Sequence, residues 1–141
     1  MTFYVDTSVF VSAVADEADS ERSRQWLGEQ VPGVLAISDW VEAEFSAALS
    51  IKVRTGGLSD ERQRRALLNF AKVAELSLLR LPVERAHFRA AARFADQSNT
   101  GLRAGDALHL AIAAAHGAWI VTMDRRLSAA AEVLGFQARS P

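Results

Sequence analysis

Apolar residues along the chain fall into two rhythms that alternate: short unbroken runs, and longer stretches with a period of 3.6 residues. Phe3-Tyr4-Val5 is a β-prone run ending at Asp6, and Thr7-Ser8 supply helix-starting hydroxyls for the apolar stretch 9–14. A polar interruption at 16–20 precedes a helical pattern over 21–30, which Pro32-Gly33 stops. Val34-Leu35-Ala36-Ile37 reads as a second strand. Ser38 can cap a helix whose apolar positions Val41, Phe45, Ala48 and Leu49 share a face and which Gly56-Gly57 end. Ser59, with Asp60 and Glu61 in the first turn, opens a helix to about Glu75 with a predicted buried stripe of Leu67, Leu68, Phe70, Ala71 and Ala74.

The alternation persists in the second half. Residues 76–81 read as a strand stopped by Pro82, and 83–96 as an amphipathic helix through Ala86, Ala90 and Phe94. A loop at 97–101 leads to an alanine-rich, mostly buried helix over 103–116, a strand at 119–122, a last helix over 125–134 and an edge strand at 135–138. Strands separated by helices imply right-handed βαβ crossovers and a parallel sheet covered on both faces. The predicted class is therefore α/β, in three layers with a central parallel sheet. With 141 residues, half of them hydrophobic, and no repeat or linker, one domain spanning 1–141 is expected.

Composition narrows the chemistry. The chain has no cysteine, which excludes disulfides, a thiolate zinc site and a cysteine nucleophile, and fits a reducing cytoplasm. No basic leader precedes Asp6, and charges break the apolar runs well short of the ~20 residues of a membrane span. Net charge is only −1, but it is segregated: residues 1–51 hold 2 basic and 9 acidic side chains, and residues 52–103 hold 11 and 5. A basic middle segment can face a polyanion, although Arg62, Arg64, Arg65, Arg85, Arg89 and Arg93 also fit plain solvated helix faces.

In an open α/β sheet, ligands bind beyond the carboxyl ends of the strands, where helix N-termini also point. Asp6 ends the first strand, Asp124 follows the fourth after one Met, and Asp106 falls in the first turn of the helix through Ala107 and Leu108. Each also has an ordinary use as a helix cap or dipole partner. Glu44 fits that use less well, because its spacing from Trp40, Val41 and Ala48 directs the carboxylate toward an apolar stripe. Glu42 competes for the role from a different edge of the same helix. Hard oxygen donors with neither cysteine nor paired histidines suit Mg²⁺ or Mn²⁺ over zinc or copper, and carboxylate-held cations suit phosphodiester hydrolysis.

These marks together, Val5-Asp6-Thr7-Ser8, Ser38 through Glu44 to Leu49, Ala104-Gly105-Asp106-Ala107-Leu108-His109-Leu110-Ala111 and Thr122-Met123-Asp124-Arg125-Arg126-Leu127, resemble the PIN-domain family over nearly the whole chain. The closer resemblance is to its VapC type, the ribonuclease toxin of a bacterial toxin–antitoxin pair. The resemblance implies a Mg²⁺- or Mn²⁺-dependent endoribonuclease that hydrolyses RNA with a metal-activated water. It also implies a small cognate antitoxin and frequent homodimerisation. By motif match, Asp6 is the central metal ligand, Glu44 and Asp106 complete the first site, and Asp124 supports a second metal or its water. Thr7, Ser8 and Thr122 are implied hydrogen-bonding supports; Met123 stands where a small polar residue is common.

Arg103 is placed to meet a phosphate near Asp106, or simply to sit in solvent. His109, three residues after Asp106, can orient a carboxylate, but a buried structural histidine is the simpler expectation. Trp26 and Trp40 read as core or interface aromatics. A phospho-acceptor receiver domain also binds Mg²⁺ at strand ends, but it wants a lysine after the last strand, and the only lysines are Lys52 and Lys72. The remaining alternative is a non-catalytic PIN-like module that holds RNA or protein.

Overall fold

The computed structural model describes residues 1–141. Its elements are β1 (Phe3–Val5), α1 (Thr7–Val14), α2 (Ser20–Glu29), β2 (Leu35–Ile37), α3 (Asp39–Arg54), α4 (Asp60–Ser77), β3 (Leu79–Arg80), α5 (Arg85–Ala95), α6 (Ala104–Ala115), β4 (Trp119–Val121), α7 (Arg125–Val133) and β5 (Ala138–Arg139), with a short 3₁₀ turn at Ser98–Thr100. The five strands form one sheet in the order β3-β2-β1-β4-β5, every pair parallel. Phe3 is in register with Leu35 on one side and Trp119 on the other. The α/β class is as expected.

Strand order explains where a site can form. The chain leaves β1 toward β2 and β3, then crosses back to β4 and β5 on the other side, so its direction reverses between β1 and β4. Right-handed crossovers then put α1–α4 on one face and α5–α7 on the other. Packing agrees: α1 contacts α2 and α3, α3 contacts α4, and α5 packs along α6. The central strands are apolar on both sides because both are covered; Tyr4, Val5, Ala36, Ile37, Ile120 and Val121 are all fully buried. The α6 helix is buried continuously from Ala107 to Ala113, as its unbroken apolar sequence suggests. No helix is long and apolar enough to cross a membrane.

Several boundaries and stripes differ from the sequence expectation. The run 76–81 does not form a full strand: α4 continues to Ser77, and only Leu79 and Arg80 pair with β2, as an exposed edge. On α4 the inward stripe is Ala66, Leu67, Phe70 and Ala74, leaving Leu68 and Ala71 exposed. Helical spacing accounts for this, since positions 66, 70 and 74 repeat every four residues and 68 lies half a turn away. On α5 the buried positions are His87 and Ala91, while Ala86 is exposed. The edge strand after α7 lies at Ala138–Arg139, slightly later than predicted.

Candidate active site

Asp6 leaves the end of β1 and takes the N-cap position of α1, yet its side chain does not cap that helix. Its Oδ2 accepts hydrogen bonds from Ser8 Oγ at 2.6 Å and from Thr122 Oγ1 at 2.8 Å. Thr122 follows β4, so these bonds tie together the two strands at the point where sheet direction reverses. Asp6 Oδ1 lies 3.2 Å from His109 Nε2. Thr122 Oγ1 also accepts the backbone N–H of Asp124 at 3.0 Å, and Ser8 Oγ accepts that of Met123 at 2.9 Å. The two hydroxyls thus position both Asp6 and the loop that presents Asp124.

Asp124 does cap its helix: Oδ1 accepts from the backbone N–H groups of Arg126 and Leu127. The ordinary use and the site placement coexist here, because one oxygen serves the cap. Asp106 sits in the first turn of α6. Asp6, Glu44, Asp106 and Asp124 all line one open cavity of about 580 Å³ at the carboxyl ends of β1 and β4. Three helix N-termini, those of α1, α6 and α7, supply these residues, and their positive dipole ends favour the anionic side chains gathered there.

Glu44 arrives from the second turn of α3. Its Oε1 accepts hydrogen bonds from Thr7 Oγ1 at 2.8 Å and from the Nε2–H of His109. His109 is wholly buried, and its Nδ1 meets the Tyr4 hydroxyl at 2.8 Å, which in turn meets Ser38 Oγ at 2.7 Å. A line of hydrogen bonds therefore runs from the end of β2 through β1 and α6 to the acid on α3. Ser38 was expected to cap α3; its hydroxyl goes instead to the buried Tyr4, which needs a partner more than a solvent-accessible helix end does.

Electrostatics separates the acids. Burial pushes the Glu44 carboxyl up, but the hydrogen bond and charge of His109 and the Thr7 hydroxyl outweigh it and hold it below the ordinary carboxylate value. Burial pulls His109 down, and its bond to Glu44 with the charges of Asp6, Glu44 and Asp106 reverse that, so the imidazole titrates above its ordinary value. Asp106 has no such partner: burial, then the charges of Asp6 and Asp124, raise it. Negative charge in this cavity exceeds what the protein itself compensates.

Structure brings all four predicted acids together, with Thr7, Ser8 and Thr122 behind them. Glu42 is outside; it pairs with Arg80 on the surface. Arg103 is exposed at the N-cap position of α6. His109 combines both roles weighed for it, buried and holding a carboxylate, and with Asp6 and Glu44 it forms a group whose donor atoms lie within 4.8 Å of one another and could hold an ion. Tyr4, Glu17 and Asp19, the last two on the cavity wall, were not anticipated. The spacing Asp106 to His109 carried the only available signal for the histidine, and nothing local marks Tyr4.

Fold and site together define a three-layer α/β/α protein with an acidic cluster at the switch point of its sheet. The model of the PIN domain family matches residues 3–133, and the chain belongs to that family. Solved structures share the fold. VapC20 of Mycobacterium tuberculosis, described as a sarcin–ricin loop cleaving toxin, superposes with a TM-score of 0.74 at 19% identity, covering 99% of this chain and 100% of that one. FitAcB from Neisseria gonorrhoeae gives 0.71 at 17% identity, covering 97% and 96%. VapBC2 from Rickettsia felis, solved with a fragment of promoter DNA, gives 0.67 at 16% identity, covering 100% and 99%. No curated protein matches the chain in sequence.

Proposed function

We propose that this protein is a cytoplasmic endoribonuclease dependent on Mg²⁺ or Mn²⁺, and the toxin of a toxin–antitoxin pair. One observation carries the reading: four carboxylates from β1, α3, α6 and the β4–α7 loop face one open cavity with only His109 to offset them. The donor set fits a hard divalent cation, being carboxylate oxygen supported by hydroxyls, with no thiol in the chain. Asp6, Glu44 and Asp106 would hold it, with Asp124 available to a second. When bound, the cation supplies charge neutralisation at a phosphate and lowers the pKa of a water.

The protein's own groups prepare that chemistry. Ser8 and Thr122 fix Asp6 by one oxygen, which leaves the other on the side of Glu44. Thr7 and His109 do the same for Glu44. Fixed carboxylates need no reordering when substrate arrives. Arg103, exposed beside Asp106, is the side chain placed to meet a neighbouring phosphate of the RNA.

A small antitoxin fits a second feature. An apolar groove of about 360 Å³, lined by Phe10, Leu27, Phe45, Phe70 and Val73, runs between α1, α2 and α4. An amphipathic segment laid there, with a basic side chain reaching the acidic cavity, would both bind and inhibit. Unchanged Mn²⁺ affinity in the inhibited complex would sink this mode of inhibition. Exposed Phe88 on α5, beside a small apolar pocket with Trp40, offers a face for homodimerisation.

The deciding experiment treats a mixed RNA pool with wild type and Asp6→Ala, each with Mn²⁺, Mg²⁺ or EDTA. Cutting that requires both the cation and Asp6 supports the nuclease. RNA left intact by wild type with either cation favours the non-catalytic binding module.

A further inference from the structure

Gly105 is a glycine within α6 that does not use the left-handed region open to glycine. Its reason is space. A Cβ at this position would lie 3.1 Å from Glu44 Oε2, 3.4 Å from Trp40 Cζ2 and 3.7 Å from Trp40 Nε1. Such contacts are tighter than side chains normally accept on the carboxylate side, so α6 can approach α3 here only because the Cβ is missing.

Two unmet groups share that approach. Both hydrogen bonds of Glu44 fall on Oε1, and Oε2 accepts none. The Trp40 indole N–H is the one buried side-chain donor without a partner. Leaving such a donor buried and unpaired costs about 1–3 kcal/mol. Trp40 stands one helical turn before Glu44 on α3, and its ring also packs beside His109, centroids 6.5 Å apart. A donor without an acceptor and an acceptor without a donor thus flank the space that Gly105 leaves open.

We propose that Gly105 and Trp40 are positioning residues for Glu44. Gly105 gives Oε2 room against α6, and the indole N–H is the donor that serves Oε2 while Thr7 and His109 hold Oε1. Both oxygens of the carboxylate are then oriented by the protein, and affinity for a divalent cation depends on a wall that touches no substrate. This rests on the cation-binding reading above.

The test measures Mn²⁺ affinity by calorimetric titration and cation-free thermal unfolding on wild type, Gly105→Ala, Trp40→Phe and, as a control, Glu42→Gln. Loss of a group behind a metal ligand typically lowers affinity by about 10- to 100-fold, so each of the first two variants is expected to lose about tenfold. Gly105→Ala is expected to unfold no earlier than wild type, since alanine is the better helix residue. Trp40→Phe keeps the ring and removes only the N–H. Wild-type affinity in both variants overturns the inference; so does an affinity loss matched in both by earlier cation-free unfolding, which would assign the pair to packing. Wild type that takes up no Mn²⁺ overturns the cation-binding reading as well, which separates the two failures.

Discussion

Glu42 and Glu44 stand two positions apart on α3 and live in different electrostatic neighbourhoods. Glu42, with Asp39, meets Arg80 at the protein surface, at 2.7 and 2.6 Å. One guanidinium there serves two acids in the open, and their charges raise Arg80 above its ordinary value. Glu44 instead enters a cavity with Asp6, Asp106 and Asp124, and the only basic group bonded to them is the buried His109. The same residue type on one helix is thus compensated by the protein in one region and left in excess in the other. A carboxylate cluster that the protein does not balance is one whose balance comes from outside, by a cation.

The largest expected effect tests that contrast by function. Asp6→Asn keeps the side-chain shape but removes the charge, and RNA cleavage with Mn²⁺ should fall by more than the roughly 10- to 100-fold that losing a group behind a metal ligand costs. Glu42→Gln, measured beside it, should cleave at the wild-type rate. Equal losses in the two variants would erase the distinction between the regions.

Binding to the folded state alone should appear as stability. At a Mn²⁺ concentration one hundred times Kd the gain is about 2.7 kcal/mol, which for a domain of this size is a rise in Tm of several degrees, at about 3 °C per kcal/mol. Asp106→Asn should show little of that rise and should itself unfold later than wild type when cation-free. Its carboxyl is raised by burial and by Asp6 and Asp124, so its ionised form opposes folding. Differential scanning calorimetry with and without Mn²⁺ checks both signs.

How much of this was legible beforehand follows from range. Asp6, Asp106 and Asp124 are fixed by local rules, a strand end or a helix first turn, and such rules act within a few residues. Glu44 was separable from Glu42 because helical spacing from Trp40 and Ala48 directs it inward. The Ser38–Tyr4–His109 line was not legible, since it joins residues 34 and 105 positions apart. Nor was the end of β3, because whether Leu76 and Leu78 join a strand depends on what β2 offers, which is a partner only for Leu79 and Arg80. Gly105 announced itself as a glycine in a helix but not what it makes room for.

A smaller effect concerns the one basic group inside the acidic region. His109 is raised in the folded state, so its contribution to stability is complete below its ordinary value and is lost as pH rises through the folded value. Glu44 is lowered, so its share is present above the ordinary carboxylate value and is lost only as pH falls below it. Between those limits, on the acid side of neutrality, both are charged and paired. Cation-free wild type should therefore gain stability relative to His109→Gln as pH goes from 8 to 6. A difference between the two that is flat with pH would mean that the buried imidazole stays neutral.

The smallest effect belongs to the compensated region. An ion pair on the surface contributes about 0–1 kcal/mol, because water screens it and two long side chains must be held in place. A double-mutant cycle of Arg80→Ala with Glu42→Gln should return a coupling within that range, and one that shrinks when salt is raised. The Glu44–His109 pair, taken through the same cycle without cation, should couple more strongly and respond less to salt, because His109 is wholly out of water. If the two cycles gave equal couplings and equal salt dependence, burial would not be what distinguishes the regions, and the excess charge of the cavity would be screened as easily as any surface charge.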